Sequence, residues 1–266
     1  MAKSSTRIQN AVTSDLLKMF KSFHGQFDHY SLFNDFLTMG AVATSNAFDK
    51  AQFAEREAIY MQTVKGYTSE QLKGFARGLH VLKEALVDAP NDYLGELYMA
   101  MDLGNQWTGQ FFTPMHICRL NAKLLMSDVE KVIEEKGFIT LSDPCIGGGA
   151  MVIAYADELQ QAGFNYPTQL YIRGQDIDIK AVYMSYIQLS WMGAGACVVH
   201  GDTLRNEQHS EWFTPWNVCY GWERRFFSSL PTRAPHIMSE EPFLKADYSV
   251  DLTLIADVNK EQLCLF

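Results

Sequence analysis

The residues best suited to chemistry fall into three short clusters, each with an acid. Asp143-Pro144-Cys145-Ile146-Gly147-Gly148-Gly149 comes first, then Gly174-Gln175-Asp176-Ile177-Asp178, then Gly201-Asp202-Thr203-Leu204. Glycines in the first cluster let the backbone approach a ligand with no Cβ in the way. A helix starting directly after them offers free N–H groups and the positive end of its dipole to a negative group. A carboxylate at the end of the next strand can accept hydrogen bonds from both hydroxyls of a ribose. With a third acid on the same edge, the set predicts a nucleoside-bearing cofactor lying across the carboxyl ends of a parallel sheet.

Such a site needs strands that stop where the clusters start. Residues 138–142, 168–173 and 196–200 read as short apolar strands, with helices over 150–161 and 180–192 between them. Strand, helix, strand, helix, strand means a parallel sheet with crossover helices, here one that stops after its third strand. The chain before it reads as helices. Leu16, Leu17, Phe20 and Phe23 share one face, as do Leu32, Phe33, Phe36 and Leu37, and Phe53, Tyr60, Met61 and Val64 suggest a third helix. Thr68 with Gln71 forms a capping-box pattern ahead of a fourth, which Pro90 ends; Tyr93, Leu94, Leu97, Tyr98 and Met101 mark a fifth. Thr113-Pro114 predicts an N-cap with proline at the first helical position. Beyond Trp222 come Pro231, Pro235 and Pro242, with strand-like alternation returning at Tyr248, Val250, Leu252 and Leu254. The expected division is a helical domain over 1–104, an α/β cofactor domain over 105–222 and a C-terminal extension over 223–266.

These motifs resemble those of the adenine-N6 DNA methyltransferases, and within them the modification subunit of type I restriction-modification systems. The likeness begins at Asp92-Tyr93-Leu94-Gly95-Glu96-Leu97-Tyr98 and continues through Gly109-Gln110-Phe111-Phe112-Thr113-Pro114, similar to the family's G-E/Q-F-[FY]-T-P box. Asp143, Pro144, Gly147 and Gly149 meet the family's D-P-x-x-G-x-G. The resemblance covers roughly 92–204 and implies an α/β, Rossmann-like S-adenosylmethionine-dependent methyltransferase fold with an N-terminal helical domain. It implies that Phe112, Thr113 and Pro114, with Asp143, Pro144, Gly147 and Gly149, hold the amino-acid end of S-adenosylmethionine. Asp176 would be the ribose acid, where the family usually has Glu, and Asp202 the adenine-contacting acid.

The family also places an N-P-P-[FY] or D-P-P-[YF] tetrapeptide after its fourth strand, where it orients the target amine and stacks on the flipped base. No Asn-Pro-Pro or Asp-Pro-Pro occurs in this chain. The nearest candidate in position is Thr214-Pro215-Trp216-Asn217, in which only Pro215 agrees. Either Trp216 stacks on a base while Asn217 holds an amine, or Trp212, Phe213 and Trp216 are core aromatics. The expected activity is methyl transfer to an exocyclic amine of a DNA base. The alternative is a catalytically inactive adaptor or antirestriction protein built on the same fold.

Charge and composition narrow the partners. With 22 basic and 31 acidic side chains the formal charge is −9, which excludes a uniformly basic nucleic-acid coat and leaves DNA contact local or borrowed from a partner such as a specificity subunit. About fifty residues follow Trp216, too few for both the rest of a full family sheet and a target-recognition region. Lys65, Lys73, Arg77, Lys83, Arg119 and Lys123 read as a solvated face, while Arg224 and Arg225 beside Trp222 and Phe226 suit a single-stranded or flipped base. Five scattered cysteines without a C-x-x-C pair point to a reducing cytoplasm and no zinc site. Residues 181–201 carry no Asp, Glu, Lys or Arg, but Gln188, Gly193 and Gly195 interrupt them, so a buried helix and strand are expected, not a membrane span. Last, Gln262-Leu263-Cys264-Leu265-Phe266 resembles the bacterial sliding-clamp-binding peptide Q-L-[SD]-L-F. Gln262, Leu263, Leu265 and Phe266 would carry that contact, or close the protein's own core.

Overall fold

A computed structural model describes residues 2–23, 26–101, 103 and 112–229. Five helices come first: α1 (Ala2–Ser22), α2 (His29–Phe48), α3 (Phe53–Val64), α4 (Ser69–Asp88) and α5 (Tyr93–Ala100). Local chemistry fixes their ends. Asp28 caps α2 by accepting from the Ser31 N–H at 2.9 Å, and Thr68 with Gln71 forms the reciprocal capping box of α4. The aromatic stripes meet in the middle, with Phe23 stacked on Phe75 at 4.9 Å and Phe20 edge-on to Phe36 at 5.3 Å.

The second half runs α6 (Met115–Leu124), α7 (Val129–Lys136), β1 (Ile139–Asp143), α8 (Ala150–Gln161), α9 (Tyr166–Gln169), β2 (Leu170–Asp176), α10 (Ile179–Trp191), β3 (Gly195–His200), β4 (Ser210–Phe213), α11 (Pro215–Tyr220) and α12 (Trp222–Ser229). Strands lie in the order β1-β2-β3-β4. The first three are parallel, as the alternation of strands and helices predicts, with Asp143 beside Gly174 and Asp176 beside His200. The fold is α/β, with N-terminal helices and a mostly parallel sheet.

Two expectations need correction. The sheet does not stop at its third strand, because β4 pairs antiparallel with β3, Cys197 opposite Phe213. Four residues beginning Ser-Glu carry too little alternation to be read as a strand. Tertiary packing makes it one: the Trp212 ring lies edge-on to Tyr183 and Tyr186, with the Arg56 guanidinium 3.8 Å from its centroid. At α6, Pro114 is the N-cap itself (φ −58°, ψ 137°), so the helix starts one residue later than Thr113-Pro114 suggests.

One apolar cluster runs from Val12 through the helices to Val198 and Trp212, so helices and sheet share a core. A smaller cluster of Phe138, Tyr171, Cys197, Val199, Phe213 and Trp222 fills the other face of the sheet, with Val218 and Phe226 packed against it. The uncharged stretch at 181–201 is indeed interior, since every residue from Ala181 to Ser190 is buried and β3 is buried up to His200. Among the described residues no helix is long and apolar enough to cross a membrane.

Candidate functional site

The parallel strands deliver Asp143, Asp176 and Asp202 to one edge, as their positions at strand ends predict, and backbone hydrogen bonds lace the three loops together. Gly147 N–H donates to Asp176 Oδ2 and Asp178 N–H to Asp176 Oδ1, both at 2.9 Å. Burial raises the Asp176 carboxyl above its usual range, while these two N–H bonds favour the charged form and pull the other way. Asp143 Oδ1 accepts from Cys145 N–H at 3.0 Å. Asp202 Oδ1 accepts from the N–H groups of Leu204 and Arg205, and Thr203 Oγ1 donates to the Pro144 carbonyl at 2.7 Å, closing the third loop onto the first. Gly147 and Gly149 have φ of +56° and +94°, values that L side chains rarely adopt, and Gly149 is the N-cap of α8. Phe112 lies over Gly147, where an added Cβ would sit 3.2 Å from its ring, and its outer edge meets Tyr98. Thr113 and Pro114 follow it, exposed. Phe112, Asp143, Gly147 and Asp176 are thus brought together, with Asp202 on the same rim.

Thr214, Pro215, Trp216 and Asn217 are not brought to that rim. Because β4 runs antiparallel, its end lies beside the start of β3, four residues or about 13 Å of strand from His200. Thr214 is fully buried; its Oγ1 accepts from Ala196 N–H at 2.9 Å, donates to the Ala194 carbonyl at 2.7 Å, and caps α11 through Asn217 N–H. Asn217 Nδ2 donates to the Ala196 carbonyl and to Glu223 Oε1. The Trp216 ring stacks on Tyr220 at 5.2 Å and closes over Gly193 (φ +83°), where a Cβ would be 2.9 Å from its Nε1. This block is a helix cap and a packing joint at the amino edge, which corrects its expected place beside the methyl acceptor. Trp212 and Phe213 are core, as the alternative has it.

Four of the six basic side chains read as a solvated face have an acidic neighbour. Lys73 and Arg77 lie within 3.7 and 3.8 Å of Glu70, Arg119 within 3.8 Å of Asp157 and Lys123 within 3.8 Å of Glu158. Arg225 stacks on Trp222 at 4.1 Å, but Trp222 is wholly buried and offers no face to a base. Among the described residues no cluster of His, Cys, Asp and Glu has the makings of a metal site. Gly109 to Phe111, residues 230–266 and with them Gln262, Leu263, Leu265 and Phe266 lie outside the described residues.

A family model, N-6 DNA methylase, matches residues 91–258. The chain belongs to the N-6 DNA methylase family. No curated protein matches it. Among solved structures it is similar to a Listeria monocytogenes protein assigned to the class I S-adenosylmethionine-dependent methyltransferases, at 19% identity and TM-score 0.40 over 74% of this chain and 55% of that one. It is also similar to a type I restriction-modification methyltransferase subunit from Streptococcus thermophilus, at 15% identity and TM-score 0.42 over 75% of this chain and 59% of that one. The chain spans less than two thirds of either structure.

Two buried polar residues of this family member have contacts that motif matching alone does not disclose. Asp92 sits in the first matched segment, but its carboxylate reaches Gly148 only through the fold. Gln188 stands out in sequence as an amide inside an uncharged stretch, and that is the signal that could have found it.

Proposed function

We propose that this member of the N-6 DNA methylase family binds S-adenosylmethionine across the carboxyl edge of its sheet and transfers the methyl group to the N6 amine of adenine in DNA. One observation supports the cofactor half most: Asp143, Asp176 and Asp202 stand on one rim around a glycine loop with two left-handed residues. The fit is chemical. S-adenosylmethionine supplies, when bound, an electrophilic methyl on a cationic sulfur, and three carboxylates suit a cation. Phe112, Thr113, Pro114, Asp143, Pro144, Gly147 and Gly149 would hold its amino-acid end, with α8 turning the positive end of its dipole to the carboxylate. Asp176 would accept from the ribose hydroxyls and Asp202 from the adenine. Calorimetric titration of the purified chain should show binding; no heat over a millimolar range overturns the cofactor reading.

Transfer to an exocyclic amine needs orientation more than activation, so a direct in-line displacement is the economical route. DNA would be reached by a local surface or through a specificity subunit, consistent with the net charge and the ion-paired cations. A second reading is favoured by one observation: the polar atoms of Thr214 and Asn217 are consumed at the opposite edge. In it the chain is a non-catalytic adaptor that keeps the cofactor site. Radiolabelled methyl transfer to DNA lacking adenine methylation separates the two, since only the first predicts label in DNA. An adaptor carried to replicating DNA by residues 262–266 would be pulled down by the sliding clamp, and deletion of those residues would abolish it.

A further inference from the structure

We propose that Asp92 and Gln188 are positioning residues for the glycine loop, holding its central peptide in the form that receives the amino-acid end of the cofactor. The inference rests on the cofactor reading above. Gln188, on α10, is fully buried and uses both ends of its amide. Its Oε1 accepts from Leu94 N–H at 3.0 Å, while its Nε2 donates to Asp92 Oδ1 at 2.8 Å and to the Gly148 carbonyl at 2.7 Å. Asp92 Oδ1 also accepts from Gly95 N–H at 2.8 Å, capping α5, and its carboxylate lies against Gly148 so closely that a Cβ there would be 2.7 Å from Oδ1. Three elements distant in sequence therefore meet at one amide.

Three consecutive glycines are the least ordered backbone a chain can have, and fixing them costs more conformational entropy than fixing any other triplet. Gly147 and Gly149 leave the right-handed region, so the loop gets no help from ordinary turn preferences. An alkyl side chain at 188 would fill the same core volume without burying polar atoms. What it could not do is grip the Gly148 carbonyl and the start of α5 together. A loop ordered before the ligand arrives binds more tightly, because the ordering cost is met by folding. Burial raises the Asp92 carboxyl above the usual range, while the hydrogen bonds from Gln188 and Gly95 N–H pull the other way.

The test compares two ligands that share a nucleoside. S-adenosylhomocysteine carries the amino-acid end and 5′-methylthioadenosine does not. On the full chain, Gln188→Leu should weaken the first at least tenfold and leave the second within about threefold. Asp92→Asn, whose Oδ1 can still accept both hydrogen bonds, should hold the first within about threefold. If Gln188→Leu does not fold, Gly148→Ala, which drives a Cβ into the Asp92 carboxylate, should show the same selective loss. Equal loss of both ligands, or no loss of S-adenosylhomocysteine, overturns the positioning role and leaves the cofactor reading standing. A wild-type chain that binds neither ligand overturns both.

Discussion

The two edges of the sheet carry similar residues and use them in opposite ways. At the carboxyl edge, Asp143, Asp176 and Asp202 each accept backbone N–H bonds from their own or a neighbouring loop, and the loops meet around a glycine turn. At the amino edge, Thr214 and Asn217 also bond to backbone, but both are buried, whereas the three acids stay partly exposed. Residue type alone does not separate a ligand site from a joint. The direction of the strand that carries the residue does, and β4 runs the wrong way to bring its end to the rim that Asp143, Asp176 and Asp202 share.

Four measurements press on that contrast. At the amino edge, Trp222→Ala should cost the most, about 3–5 kcal/mol in urea unfolding, because a wholly buried indole packed on Phe138 and Tyr171 leaves a cavity. Thr214→Val should cost about 1–3 kcal/mol by orphaning the buried Ala196 N–H. Its affinity for S-adenosylmethionine should not change; a loss there would mean the two edges are not separate. Asp176→Ala should do the reverse, weakening S-adenosylmethionine at least tenfold by calorimetry, about 1.4 kcal/mol. The smallest effect depends on pH. Burial raises the Asp92 carboxyl above 3.8, so ionisation penalises the folded state: the stability tied to this group is full below 3.8 and lost as pH rises through the raised value. Asp92→Asn does not titrate, so it should melt higher than wild type at pH 7, with the gap closing towards pH 4. Glu96 and Cys118 are the titratable neighbours whose own values feel Asp92, and Glu96→Gln is the control for them.

Much of the carboxyl edge was legible in the sequence because its signals are local. A glycine triplet between an apolar strand and an apolar helix, with an acid at each later strand end, places Asp143, Asp176 and Asp202 together by topology alone. The helical half was legible for a similar reason, since Leu16 and Phe20, Phe33 and Leu37, and Leu82 and Leu86 each recur at helical spacing on one helix and all are buried. What could not be read was long-range. The direction of β4 depends on Trp212 finding Tyr183, Tyr186 and Arg56, contacts made across the whole chain. Gln188 was visible as an oddity but its partners were not, because Leu94, Asp92 and Gly148 converge on it from two other elements.

The buried Arg56 on α3 has a last consequence. Its guanidinium, held by Asp49 at 3.0 Å, donates to the Glu211 carbonyl of β4 at 2.7 Å, and Gln52 Nε2 donates to the same oxygen at 3.3 Å. An outer strand normally presents such carbonyls as a template for another chain. Here one is stoppered by a desolvated cation that a newcomer would have to displace, so lateral self-association through β4 is discouraged.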